Sequence, residues 1–268
     1  MPFVTSRGFD TYYERSGRGP RLLFLTGSGM TVERSGPLVK PFTASFDAVA
    51  PDYRGMGRSG RPPGPYGMAD CAADALAVMD GLGWDAARVI GISFGGMVAQ
   101  ELAVTAPGRV ERLALLCTSP GGAGGSSYPL HELDRLAPAE RSRDLRALID
   151  VRFDDEWLSG HPGDRQLLEV LAGRTSGLDR QQQRAASEQL AVRSQHDVWH
   201  RLPRIACPTF IACGRYDGIA PPANSAAIST RVEGSRLFEY EGGHVFFVQD
   251  ARAVPAVVAF LAEPVAPG

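Results

Sequence analysis

Arg88-Val89-Ile90-Gly91-Ile92-Ser93-Phe94-Gly95-Gly96-Met97-Val98-Ala99-Gln100 decides the fold class of this chain. An apolar run that reads as a short strand leads into Gly-x-Ser-x-Gly, and an apolar-faced helix follows. A serine on such a strand-to-helix turn, a nucleophile elbow, has its hydroxyl lifted clear of the backbone. Strand and helix pass so close beside it that the residues two before and two after must be small. Gly91 and Gly95 meet that demand by lacking a Cβ. The helix N-terminus then points its free N–H groups at any negative charge that develops there. The five-residue pattern alone arises readily by chance in a chain with 31 glycines. The competing reading is an ordinary glycine-rich turn with a serine at a helix start, and the rest of the chain decides between the two.

Outward from this stretch, short apolar runs alternate with helical patterns. Residues 10–15 alternate like an exposed strand, whereas 21–25, 46–50 and 113–117 are continuous apolar strands. Residues 70–82 read as a helix with Ala72, Ala75, Leu76, Met79 and Leu82 on one face. The helix after Ser93 runs to Ala106 and stops at Pro107. Strands this apolar are buried on both faces, so the fold class is α/β, a mostly parallel sheet flanked by helices. After Cys117 the rhythm breaks. Residues 119–127 read as a flexible linker by composition, and from about 130 to 202 the chain is helical, charged and free of strands. Strands resume at 209–213 and 236–240, and a final helix covers 253–261. The expected organisation is a core of residues 1–120 and 203–268, interrupted by a helical insertion, 121–202, that lies over the strand ends.

Composition narrows the function classes. A chain of 268 residues with 44% apolar and 22% charged content suits one large soluble core. A net charge of −2 gives no electrostatic case for nucleic acid or an anionic membrane. Arginine supplies nearly all the positive charge, Lys40 being the only lysine. Cys71, Cys117, Cys207 and Cys213 form no Cys-x-x-Cys, so buried free thiols in a reducing compartment are expected. The N-terminus lacks a basic start followed by an apolar stretch, and no run of about eighteen apolar residues exists. The expected location is cytoplasmic. No Cys/His cluster has zinc spacing and no phosphate-loop motif occurs, so neither a metal nor an organic cofactor is expected.

A serine hydroxyl needs a base, usually histidine, held by a carboxylate. Of the five histidines, His131, His161, His196 and His200 lie in the insertion or its exit. His244 alone follows a core strand, on the same sheet edge as Ser93. Asp217 follows the strand at 209–213 on that edge. The loop after 113–117, where an acid could also stand, contains none. The order Ser93, Asp217, His244 separates this arrangement from other serine hydrolases. The backbone N–H of Phe94 is one oxyanion donor, and the second comes from the loop 26–30, whose glycines admit close approach.

With these residues in place, the chain resembles the α/β-hydrolase superfamily over nearly its whole length. Within it, the chain is most similar to the 3-oxoadipate enol-lactonase-like and small carboxylesterase group. Asp52-Tyr53-Arg54-Gly55-Met56-Gly57-Arg58-Ser59 matches that group's Asp-x-Arg-Gly-x-Gly-x-Ser loop, which the resemblance makes structural. The resemblance implies an α/β-hydrolase fold with a helical cap inserted after the sixth strand, and it assigns the second oxyanion N–H to Ser28. One departure is Thr26-Gly27, where the family usually has His-Gly. That change bears on loop geometry and substrate preference, not on the triad.

The expected activity is serine hydrolysis of a carboxylic ester or lactone of a small, partly apolar molecule through an acyl-enzyme on Ser93. Met30, Tyr128, Phe153, Trp157, Ile219 and Phe246 are candidates to line the pocket, though each also suits ordinary packing. The only partner expected is the small-molecule substrate, and the protein is a monomer or homodimer. A serine nucleophile argues against the similar haloalkane dehalogenases and epoxide hydrolases, which use aspartate. Two alternatives stay open. One is hydrolysis of a C–C bond in a vinylogous diketone with the same triad. The other is a small-molecule sensor with a slow triad.

Overall fold

The computed structural model describes residues 2–175 and 177–265. β1 (Phe3–Ser6) and β2 (Phe9–Ser16) form an antiparallel hairpin at one edge of an eight-stranded sheet. The sheet continues with β3 (Arg21–Leu25), β4 (Asp47–Pro51), β5 (Ala87–Ile92), β6 (Val110–Leu116), β7 (Thr209–Gly214) and β8 (Arg236–Tyr240). Its spatial order is β1-β2-β4-β3-β5-β6-β7-β8. β2 meets β4 antiparallel, and every pairing from β4 to β8 is parallel.

The continuous apolar runs feed two cores, because successive strand residues point to opposite faces. Leu23, Leu25, Val89, Leu113, Leu115 and Ile211 enter one. Leu22, Phe24, Ile90, Ala114, Leu116, Phe210 and Ala212 enter the other. The first core is covered by α2 (Met68–Gly81) and α3 (Phe94–Thr105), with α8 (Pro222–Arg231) contributing Ile228. The second is covered by α1 (Val32–Val39), α9 (Phe246–Gln249) and α10 (Ala253–Ala262). Between β6 and β7 stands the helical insertion: α4 (Pro138–Ile149), α5 (Asp155–Gly160), α6 (Pro162–Thr175) and α7 (Arg180–Ser194), with short 3₁₀ turns at either end. All four cysteines are free, and burial raises each thiol's pKa, Cys71 to about 12 and Cys207 and Cys213 to about 11.

Sequence patterning misses β1, α1 and α8. The last two carry proline near their starts or inside: Pro222 opens α8, and Pro37 lies within α1 after Gly36. Gly36-Pro37 inside α1 reads as a helix stop, whereas Pro222 stands at the first helical position, where proline is tolerated. Thr31 instead caps α1, its hydroxyl accepting from Arg34 N.

The glycine-rich start of the insertion is not an open linker. Gly121 pairs with Asp197 in an antiparallel bridge, and Val198 N donates to Pro120 O at 2.9 Å. A Cβ on Gly121 would stand 1.8 Å from His196 O, and one on Gly124 would stand 2.2 Å from the Trp199 ring. The glycines are there because the incoming and outgoing chains touch, a reason that composition does not reveal.

His196 is buried at this crossing, 5% exposed, and burial pulls its pKa from 6.5 down to about 4. The folded state therefore binds this proton less readily than the unfolded chain. Stability rises with pH between those two values and is lost on acidification through them, by at most about 3 kcal/mol. Urea unfolding of the wild type should fall more steeply between about pH 6.5 and 4.5 than that of His196→Leu. Parallel losses in the two proteins would contradict this assignment.

Candidate active site

The strand order reverses between β3 and β5, leaving a crevice at their carboxyl ends where α/β sheets present their ligands. Ser93 follows β5 and the loop 26–30 follows β3, so the two flank this crevice. Ser93 is held at φ 55°, ψ −114°, a backbone conformation unusual for a residue with a side chain. A Cβ on Gly91 would lie 2.3 Å from Gly95 O, and one on Gly95 would lie 2.1 Å from Leu25 O. Both glycines are therefore sterically required. Strand β6 fixes the turn from the other side: Ser93 N donates to Leu116 O, and Thr118 Oγ1 donates to Ser93 O, both at 2.9 Å.

The three residues singled out in the sequence meet here. His244 Nε2 lies 2.9 Å from Ser93 Oγ, and His244 Nδ1 lies 2.8 Å from Asp217 Oδ2. Asp217 is 3% exposed, and its Oδ1 accepts the Ile219 and Ala220 N–H groups at 2.8 Å each. With Nδ1–H donated to this carboxylate, Nε2 is left as acceptor for the serine proton. Among the described residues, His244 is the only histidine hydrogen-bonded to Ser93 or Asp217.

The loop after β3 runs against the elbow, for a Cβ on Gly27 would stand 3.8 Å from Ser93 Cβ. The N–H groups of Phe94 and Ser28 have no acceptor among the described residues. The Phe94 ring is fully buried and packs edge-on against Tyr53 at 5.2 Å, while Tyr53 Oη donates to Thr26 O at 2.9 Å. The position usually held by histidine thus offers its main-chain carbonyl to a buried tyrosine. In the 52–59 loop, Asp52 accepts from Val32 N at 2.7 Å and from Arg58 N at 2.9 Å. Arg54 forms a two-pronged pair with Asp74 at 2.7 and 2.8 Å. Those contacts brace the loop.

The candidate pocket residues divide. Tyr128 N donates to Ile219 O at 2.7 Å, which sets Tyr128 beside the Asp217 turn. Met30 is half-buried on the loop after β3. Phe153 is fully buried within the insertion. Two of the candidates have ring partners elsewhere in the fold. Phe246 is fully buried in the core on one side of the sheet, stacked on Tyr240 at 5.5 Å, so packing uses its ring. Trp157 stacks on His161 at 3.8 Å, carries Arg152 over its ring and donates Nε1–H to Asp164 at 2.8 Å. The insertion's own side chains use that indole.

Residues 148–151, at the end of α4, form a buttress that sequence reasoning missed. Ile149 O accepts from His244 N at 2.6 Å, Leu148 O accepts from Gly218 N at 3.0 Å, and Val151 N donates to Tyr216 O at 3.0 Å. Gln249 links Gly243 N, at 2.9 Å, to the fully buried Asp150, at 3.0 Å. Main-chain acceptors have no residue-type signature, so only Asp150 and Gln249 could have been flagged, and nothing in their sequence spacing joins them. Among the described residues, no three His, Cys, Asp or Glu side chains are grouped to hold a metal ion. No helix there is long and apolar enough to cross a membrane.

A family model described as the alpha/beta hydrolase fold matches residues 20–251. The chain belongs to the α/β-hydrolase fold family. It is an enzyme of that family, a hydrolase, with esterases, lactonases and C–C hydrolases among the proteins it resembles. It is 30% identical over 282 residues to 2-hydroxymuconate semialdehyde hydrolase of Pseudomonas sp. strain CF600, covering 97% of this chain and 93% of that one. It is 29% identical over 259 residues to polyketide synthase ThaQ of Burkholderia thailandensis, spanning 93% of this chain but only 12% of that much longer protein. The enol-lactonase from Burkholderia xenovorans LB400 has the same fold, with a TM-score of 0.81 at 23% identity over 98% of this chain and all of that one.

The elbow geometry has a measurable consequence. Gly95→Ala should lower the unfolding free energy of this α/β-hydrolase by about 3 kcal/mol or more, because backbone carbonyls cannot yield to the new methyl. Gly163→Ala, in α6 where a Cβ meets nothing within 4 Å, should be neutral or stabilising by up to about 1 kcal/mol. Urea titrations of both variants check the contrast.

Proposed function

We propose that this α/β-hydrolase cleaves a carboxylic ester or lactone of a small, partly apolar molecule through an acyl-enzyme on Ser93. The observation that carries the reading is the continuous hydrogen-bonded path from Ser93 Oγ through His244 to Asp217, at 2.9 and 2.8 Å. Ser93 Oγ attacks the carbonyl carbon and passes its proton to His244 Nε2. The carbonyl oxygen becomes an alkoxide that accepts from the Phe94 and Ser28 N–H groups at the α3 N-terminus and the β3 loop. Collapse breaks the C–O bond, and the leaving alkoxide takes the proton from His244. Water then repeats the sequence on the acyl-serine, releasing the acid. Asp217, whose Oδ1 accepts two backbone N–H groups, keeps the imidazole in the required tautomer and orientation. The insertion serves as a cap that excludes water and selects substrates.

A second reading is hydrolysis of a C–C bond by the same three residues. Its support is the 30% identity to 2-hydroxymuconate semialdehyde hydrolase.

A fluorophosphonate probe should label the wild type once, and Ser93→Ala not at all. Equal labelling of the two would remove Ser93 from the chemistry. Asp217→Asn should keep the fold and lose about three to four orders of magnitude in rate. A screen of aryl esters, lactones and vinylogous diketones separates the two readings, and labelling without turnover on any of them would indicate a sensor.

A further inference from the structure

One segment of the insertion grips both loops that carry His244 and Asp217. On the loop after β7, Leu148 O accepts from Gly218 N and Val151 N donates to Tyr216 O, both at 3.0 Å, so both chain neighbours of Asp217 are tied to it. Arg152 closes this side, its guanidinium 3.8 Å from the centre of the Tyr216 ring. On the loop after β8, Ile149 O accepts from His244 N at 2.6 Å. A Cβ on Gly243 would stand 2.0 Å from Ile149 O, and one on Gly214 would stand 2.1 Å from Gly243 O. The backbone before His244 is therefore pressed between the end of β7 and the end of α4.

Asp150 and Gln249 add a side-chain link to the same point. Asp150 is fully buried, and a buried carboxylate must be paired. It takes Arg152 in a two-pronged pair at 2.8 and 2.6 Å, and its Oδ2 accepts from Gln249 Nε2 at 3.0 Å. Gln249 Oε1 accepts from Gly243 N at 2.9 Å. A carboxylate on one side and an N–H on the other determine the amide orientation. Gly242 O accepts from Tyr216 N at 2.9 Å, and Gly243 O accepts from Phe246 N at 3.1 Å. Both peptide groups before His244 are thus engaged at each end. Neither Asp150 nor Gln249 is hydrogen-bonded to Ser93 or to the His244 ring, so they reach the reaction only through the backbone.

We propose that Asp150 and Gln249 are positioning residues for hydrolysis. Through Gly243 they hold the imidazole where one ring nitrogen meets Asp217 and the other meets Ser93. This rests on the acyl-enzyme reading above and makes proton transfer depend on the docking of the insertion. The ring spans two hydrogen bonds of 2.8 and 2.9 Å in different directions, so a shift of its backbone spoils both together. A misplacement of about 1 Å costs about 100-fold in rate.

The test uses p-nitrophenyl acetate turnover and the rate of fluorophosphonate labelling at Ser93. Gln249→Ala should lower kcat and the labelling rate about 10- to 100-fold and leave KM within about twofold. In Gln249→Glu the new carboxyl faces Asp150. The other charges around it are Arg152 from the insertion, Glu241 and His244 from the loop after β8, and Asp250 with its partner Arg252. The carboxyl copies the amide link only while protonated, and Asp150 favours that form by repulsion. The activity of Gln249→Glu relative to the wild type should therefore fall as pH rises from about 5 to 8. The exchange Asp150→Asn/Gln249→Glu again sets an amide N–H against a carboxylate, and should recover about tenfold of the activity lost by Gln249→Glu at about pH 8. A lowered Tm with unchanged kcat and labelling rate would make the pair merely structural and overturn the proposal. So would a ratio for Gln249→Glu that is flat with pH, a measurement that stands even if Gln249→Ala does not fold. Nitrogen-15 NMR of the His244 ring, assigned with His244→Gln, reads its tautomer without turnover. Nδ1–H is expected in the wild type and a mixture in Gln249→Ala. A ring that responds in this way in a protein the probe does not label rejects the acyl-enzyme reading and keeps the positioning role. Labelling and turnover indifferent to Gln249 reject the positioning role and keep the acyl-enzyme.

Discussion

The close approach of three backbones at Gly95 is the constraint on which the rest of the site depends. β5, the start of α3 and the loop after β3 meet with no room for a single methyl group, since a Cβ there would stand 2.1 Å from Leu25 O and 2.5 Å from Thr26 O. That proximity fixes Ser93 in its strained conformation and carries its hydroxyl toward the crevice. It also holds the loop after β3 against the elbow, where a Cβ on Gly27 would stand 3.8 Å from Ser93 Cβ. A looser packing would relax Ser93 and let the loop after β3 draw away from the elbow by the same movement. Strain and preorganisation are one feature here, maintained by the surrounding core.

Buried polar groups divide into two kinds around this point. Asp217, Asp52, Asp150 and Asp74 are saturated by backbone N–H groups, arginines or a glutamine, and each fixes a loop. Gln189 and Arg193 are incompletely paired, each with one end tied to the fold and the other without a partner among the described residues. A structural polar group is under pressure to complete its hydrogen bonds.

The insertion is bound to the core more closely than a lid on a hinge. Its entry and exit chains pair at Gly121 and Asp197, and residues 148–151 hydrogen-bond to the loops bearing Asp217 and His244. A substitution in α4 is therefore able to alter the position of His244 although α4 contributes no side chain to the Ser93–His244–Asp217 path.

Much was legible in the sequence because local rules carried it. Continuous apolar runs announced a sheet buried on both faces. Gly91 and Gly95 around Ser93, between an apolar strand and an apolar-faced helix, pointed to the elbow, and the rest of the chain decided it against an ordinary glycine-rich turn. A lone core histidine and an aspartate after a strand then had few places to go. Tertiary structure alone decided what depends on contacts between distant segments. Gly36-Pro37 hid a helix that packing and the Thr31 cap sustain, and Gly121 answers to Asp197, in a distant part of the chain. Phe246 and Trp157 are apolar in the sequence whether they line a pocket or fill a core, and only their neighbours distinguish the two. The same holds for Arg193, one arginine among many until its burial and missing partners set it apart. Periodicity and turn chemistry act within a few residues, whereas burial and hydrogen-bond satisfaction are properties of the folded whole.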